Sequence, residues 1–159
     1  MSFYGIADLT LSYYQWQARF SGLYSDDSAT GMLLTHVARR LMRGTRWWPV
    51  QGKPVVPYHA PIGLLGGTPE EIPEIYVLGS PITHVGSHCP PTLLLQGADD
   101  IGIVTGARHL HSALHKAGVT SIYVEYPDTE HGFDLVCPQI SPVAQAATYD
   151  LERFLALVI

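Results

Sequence analysis

The chain has 159 residues, 47% hydrophobic and 14% charged, the composition of a globular protein with one packed core. Its formal charge is -5, with nine Lys and Arg against fourteen Asp and Glu. That excludes the electrostatic footprint of a nucleic-acid or anionic-membrane binder and favours a neutral or small-molecule ligand. Two cysteines, Cys89 and Cys137, are too few for a disulfide framework, lack C-x-x-C spacing and read as free thiols. Met1-Ser2-Phe3-Tyr4-Gly5 has no basic or apolar leader region, and no apolar run reaches the roughly 20 residues that span a bilayer. As written, the chain reads as cytoplasmic with no membrane segment, an expectation that residues before Met1 would change.

Residues 1–4 read as the end of a strand that runs into a turn at Gly5-Ile6-Ala7-Asp8. Residues 9–58 are aromatic-rich and irregular (Tyr13, Tyr14, Trp16, Phe20, Tyr24, Trp47-Trp48), with one helix expected over 29–43, where Met32, Leu33, His36, Val37, Arg40 and Leu41 recur at helical spacing. Pro54, Pro57, Pro61, Pro69 and Pro73, with Gly63, Gly66 and Gly67, then exclude continuous helix or central strand. Further on the pattern becomes regular. Thr92-Leu93-Leu94-Leu95-Gln96, bounded by Pro90-Pro91 and Gly97, predicts a strand buried on both faces. A helix follows over 105–117, with Ala107, Leu110, Leu114 and Ala117 on one stripe and Gly118 to end it. Residues 121–126 predict the next strand, with Ile122, Val124 and Tyr126 on one side. Ser141-Pro142 opens a last helix whose expected core face is Val143, Ala147, Leu151, Phe154, Leu155 and Val158. Strand, helix, strand, helix implies a parallel βαβ unit.

In doubly wound sheets the reactive groups sit in loops at the carboxyl ends of strands. Two loops qualify: Gln96-Gly97-Ala98-Asp99-Asp100 after the first strand, and Asp128-Thr129-Glu130-His131-Gly132-Phe133 after the second. A carboxylate at one strand end can meet a histidine at the next, fixing its tautomer and stabilising its protonated form. Asp99 competes with Asp100 for the acid. Glu130, Asp128 and Asp134 read as solvent-facing loop acids. His109, His111 and His115 share a helix, and His111 with His115 has i,i+4 spacing. A surface helix is the reading preferred over zinc, because no third ligand is evident. His84 and His88 flank a glycine loop and have no stronger claim.

The run Gly66-Gly67-Thr68-Pro69-Glu70, Tyr76, Ser80-Pro81-Ile82, Pro90-Pro91-Thr92-Leu93-Leu94, Gln96-Gly97-Ala98-Asp99-Asp100, Ala117-Gly118-Val119 and Glu130-His131-Gly132-Phe133 is similar in order and spacing to the C-terminal half of acetyl-esterase and feruloyl-esterase-like α/β-hydrolases. Phe3-Tyr4-Gly5 with Asp8 resembles the strand end that follows the nucleophile helix in that family. The resemblance implies a partial α/β-hydrolase fold over residues 1–159: a short parallel sheet with flanking helices, a lid-like insertion over 9–65 and a βαβα acid/histidine half over 80–159. It implies Asp100 as triad acid and His131 as general base, the chain order of that fold. The family commonly has histidine where Gln96 stands and Val-Pro where Ile103-Val104 stand.

No G-x-S-x-G nucleophile elbow and no H-G-G-G oxyanion loop occur in the 159 residues. The expected function is therefore the C-terminal portion of a serine-type carboxylic-ester hydrolase, inactive alone, with no cofactor or metal and with a small-molecule ester as substrate once a nucleophile half completes it. A homo-oligomer or a complementing chain is the expected partner. The alternative is a non-catalytic remnant or interaction module that associates through exposed sheet surface. The aromatic segment from Tyr13 to Trp48 is either a lid or acyl-pocket wall, or packing against core or partner.

Overall fold

The structure, a computed structural model, describes residues 1–20, 65–135 and 138–159. The helix expected over 29–43, most of the lid-like segment 9–65 and Cys137 lie outside the described residues. The chain divides into two compact units, Met1–Asp8 with Leu78–Ile159, and Leu9–Val77.

The first unit is built on a three-stranded parallel sheet in the order β1 (Ser2–Phe3), β2 (Thr92–Gly97), β3 (Ser121–Tyr126). β2 is the central strand, in register with β3 from Thr92 opposite Ser121 to Gly97 opposite Tyr126, and with β1 at Ser2 opposite Leu94. A strand flanked on both edges and covered on both faces has no polar face to offer, so its unbroken apolar run follows.

Two helices cover the sheet: α3 (Val104–Lys116) between β2 and β3, and α4 (Pro142–Val158) after β3. Leu93, Leu95 and Tyr126 pack with Ala147 and Phe154 of α4 in one cluster, edged by Phe3, Ile122, Val124, Phe133, Val143 and Leu151. Each large side chain buried there contributes roughly 1.5–3 kcal/mol. The odd-numbered residues of β3 point the other way, toward α3. Arg108 grips Glu125 with both Nε (2.9 Å) and Nη2 (2.6 Å), and Tyr123 donates its hydroxyl to the same carboxylate. Arg108 holds Glu125 below the usual carboxylate range. His111 stacks on Tyr123 and lies 3.0 Å from the Ser121 hydroxyl, so it braces helix against strand. Among the described residues no group of three or more metal-ligating side chains gathers.

Helix ends follow their capping residues. Ser141 caps α4, accepting from Ala144 N at 3.4 Å with Pro142 in the first turn. After α3, Gly118 sits at φ +75°, and paired hydrogen bonds run from Gly118 N to His115 O and Val119 N to Leu114 O, a Schellman closure. The core face of α4 differs from expectation at its end. Ala144, Ala147 and Phe154 are buried, while Leu155 and Val158 are exposed, because the stripe drifts off the short sheet in the last turn.

The second unit contains α1 (Leu9–Phe20), a regular helix where an irregular segment was expected. Its buried positions Leu9, Ser12 and Tyr13 keep helical spacing, but a fully buried serine in the middle hides the apolar period. Of the Pro- and Gly-rich stretch, the part before Leu65 lies outside the described residues. Thr68 and Glu71 exchange a capping box, with Thr68 N to Glu71 Oε2 at 2.9 Å and Glu71 N to Thr68 Oγ1 at 3.3 Å, ahead of α2 (Pro73–Gly79). Tyr76 is fully buried beside Tyr13 and donates its hydroxyl to Gly67 O at 3.1 Å. Among the described residues no helix is long and apolar enough to cross a membrane.

Candidate active site

Because all three strands are parallel, their carboxyl ends open on the same end of the sheet. Tyr4 follows β1, Ala98-Asp99-Asp100 follows β2 and the segment from Pro127 to Leu135 follows β3. The last two loops are sewn together by backbone: Ala98 N donates to Tyr126 O and Asp99 N to Thr129 O, both at 2.9 Å. Their approach requires glycine at the end of β2. A Cβ at Gly97 would lie 2.3 Å from Thr129 O and 2.9 Å from Glu130 O, both backbone atoms with no side-chain freedom to yield.

Asp100 is 4% exposed, whereas Asp99 is exposed. The backbone carbonyl of Asp100 accepts from Ile103 N and Val104 N, anchoring it at the start of α3. Its Oδ2 lies 2.9 Å from Nδ1 of His131 and also accepts from Gln96 Nε2 at 2.6 Å. Burial pushes the Asp100 carboxyl above its ordinary value, opposed by the hydrogen bonds from His131 and Gln96. Two donors converging on one oxygen fit an ionised carboxylate, which only accepts, so Nδ1 carries the imidazole proton. The other ring nitrogen is then the basic one. Among the described residues no serine or cysteine side chain hydrogen-bonds it.

Three residues of this arrangement escaped the sequence reading. Gln96, 1% exposed at the penultimate position of β2, is a donor to the Asp100 carboxylate. Tyr4 lies with its ring centroid 4.5 Å from that of His131 and donates its hydroxyl to Asp134 Oδ1 at 2.7 Å. Asp134, expected to face solvent, is thus a half-buried acceptor. Asp128 and Glu130 are exposed, as expected. The signal that was available for Gln96 is its position: an amide at the buried end of an apolar strand needs a partner.

No protein-family profile matches the chain. Over 80 residues, 49% of this chain, it is 32% identical to the esterase LipQ of Mycobacterium tuberculosis, of which that segment covers 19%. Among solved structures, esterase E25 superposes with a TM-score of 0.51 at 20% identity, over 96% of this chain and 38% of that one. A thermophilic esterase of Thermogutta terrifontis superposes with a TM-score of 0.49 at 21% identity, over 66% of this chain and 36% of that one. The matched region therefore spans less than half the length of each of these proteins. The likeness to LipQ supports an esterase-like relationship, and the superposition on E25 shows a shared fold of α/β-hydrolase type.

Proposed function

We propose that this chain supplies the acid and the histidine of a serine-type carboxylic-ester hydrolase, as the C-terminal portion of that fold, and that it is inactive until a nucleophile-bearing portion completes it. The observation that carries the reading is the Asp100–His131 pair, 2.9 Å apart on loops that follow adjacent parallel strands. In this reading Asp100 and His131 are the catalytic residues of the chain.

The chemistry follows from the tautomer. With its Nδ1 proton held by Asp100, His131 presents an unprotonated Nε2 that can take the proton of a serine hydroxyl as the oxygen attacks the ester carbonyl. Asp100 stabilises the imidazolium so formed. The imidazolium then returns the proton to the departing alcohol as the carbonyl re-forms, leaving an acyl-serine. A water then attacks the acyl carbonyl by the same route, giving its proton to Nε2, and the imidazolium returns that proton to the serine oxygen as the C–O bond breaks and the acid is released. The serine and the backbone donors for the oxyanion are not among the 159 residues as recognisable motifs. Without them the histidine has nothing to activate and the tetrahedral intermediate has no stabilisation.

The test is an aryl-acetate assay of the 159-residue chain beside His131→Ala, with fluorophosphonate labelling. The expected result is the same background rate for both and no labelled serine. Turnover abolished by His131→Ala together with a labelled serine would show an autonomous hydrolase instead.

A further inference from the structure

Tyr4 directly follows β1 with its amide still donating to Leu95 O at 2.8 Å, so its backbone is tied to the central strand up to that point. It then takes φ +37°, in the left-handed region that an aromatic side chain rarely adopts. Backbone of this kind persists only where the surroundings over-determine it. What the turn achieves is visible in its contacts. The ring meets His131 at 4.5 Å between centroids with 61° between planes, and Phe133 at 5.5 Å and 80°. The hydroxyl reaches Asp134 across 130 residues of sequence. Tyr4 thus touches three of four consecutive residues in the segment that carries the histidine.

That segment has few restraints of its own. Gly132 stands at φ +72° in a turn closed by Leu135 N to Gly132 O, and the His131 side chain is 54% exposed. A single hydrogen bond at Nδ1 fixes one atom of the imidazole but leaves the ring free to pivot about it. A second contact on the ring side, held by a hydroxyl latch on the following turn, removes that freedom.

We infer that Tyr4 is a positioning residue for the Asp100–His131 pair, acting through the Tyr4–Asp134 hydrogen bond to hold the imidazole plane against the Asp100 carboxylate. The inference deepens the proposed ester-hydrolase reading and rests on it for its catalytic meaning. The latch is a neutral donor over the whole useful range, since the hydrogen bond to Asp134, followed by burial, pushes the Tyr4 phenol up to about 12.

The test is NMR of the imidazole in the isotope-labelled 159-residue chain, above about pH 8 where an ordinary imidazole is neutral. In the wild type, His131 is expected as one tautomer, with a slowly exchanging, downfield Nδ1 proton. Tyr4→Phe keeps the ring and removes the hydroxyl. It should speed exchange of that proton by about tenfold or more and mix the tautomers, with strand amides unchanged. Asp134→Ala should do the same from the other end of the latch, and it carries the test if Tyr4→Phe does not fold. Asp134→Asn, whose amide oxygen still accepts, should restore wild-type behaviour. A folded Tyr4→Phe or Asp134→Ala chain with wild-type exchange and tautomer overturns the inference and leaves the ester-hydrolase reading standing. A wild type without a hydrogen-bonded Nδ1 proton overturns both.

Discussion

The two loops that meet at the site are held in opposite ways. The Asp100 loop is short, emerges from a strand buried on both faces and places a carboxyl that is 4% exposed under two side-chain donors. The His131 loop is longer, bends through positive φ at Asp128 and Gly132, and leaves its imidazole 54% exposed. Loops with few buried contacts occupy the low-stability end of a structure. The carboxylate is set by the sheet, and the imidazole is set by what leans on it. Thr129 over Gly97, Phe133 among Phe3, Tyr4 and Tyr126, and Tyr4 on Asp134 do that leaning.

The largest expected effect comes from breaking the seam between the loops. Gly97→Ala forces the Thr129 carbonyl aside and should cost about 3 kcal/mol in urea unfolding, the upper end of overpacking. The shift should also lengthen the Asp100–His131 hydrogen bond in a structure of the variant. An unchanged midpoint would mean that the loops are less tightly joined than their backbone hydrogen bonds imply.

The rigid half of this comparison was the half legible in the sequence. Thr92 to Gln96, a short mostly apolar run between Pro90-Pro91 and Gly97, has the pattern of a buried strand and forms β2, and β3 falls at 121–126 as its alternation predicts. Ser141-Pro142 marked the start of α4 because capping chemistry is local. Strand-end logic picked out the two loops and left Asp99 beside Asp100, the family resemblance selected Asp100 and His131, and the structure brings those two within hydrogen-bond distance. What stayed hidden depends on distant partners or on a polar residue inside an apolar stripe. The Tyr4–Asp134 hydrogen bond spans 130 positions, and no local pattern predicts it. In α1, buried Ser12 interrupts the stripe of Leu9 and Tyr13, so the segment carries no clear helical period.

A smaller effect is expected at the Asp100 carboxylate. Gln96→Leu removes one donor to a buried carboxylate and should cost about 2 kcal/mol at neutral pH, the range for a hydrogen bond to a charged group. It should also move the Asp100 carboxyl further upward, read by carbon NMR of the side chain. If the carboxyl stays where it was, the Gln96 amide is not supporting the charge.

The smallest effect is a trend with pH. The Asp100 carboxyl is raised above its ordinary 3.8 in the folded chain, mainly by burial, so the folded state holds that proton more tightly than the unfolded one. The group's stabilising contribution is therefore full below the unfolded value and is lost as pH rises through the folded one. Asp100→Asn lacks that loss. The stability of the variant relative to wild type should increase from acid toward neutral pH, and a relative stability that falls over this window would contradict the assignment of burial as the dominant cause.

The central claim is that Asp100 and His131 can serve a serine. The most direct measurement joins this chain to the N-terminal portion of an α/β-hydrolase that carries both the G-x-S-x-G elbow and the oxyanion loop, and follows aryl-acetate turnover with and without His131→Ala. Turnover is expected that His131→Ala lowers by about 10³-fold or more, with the introduced serine labelled by fluorophosphonate only while His131 is present. A folded chimera whose serine is labelled and whose turnover is the same in His131→Ala would contradict it.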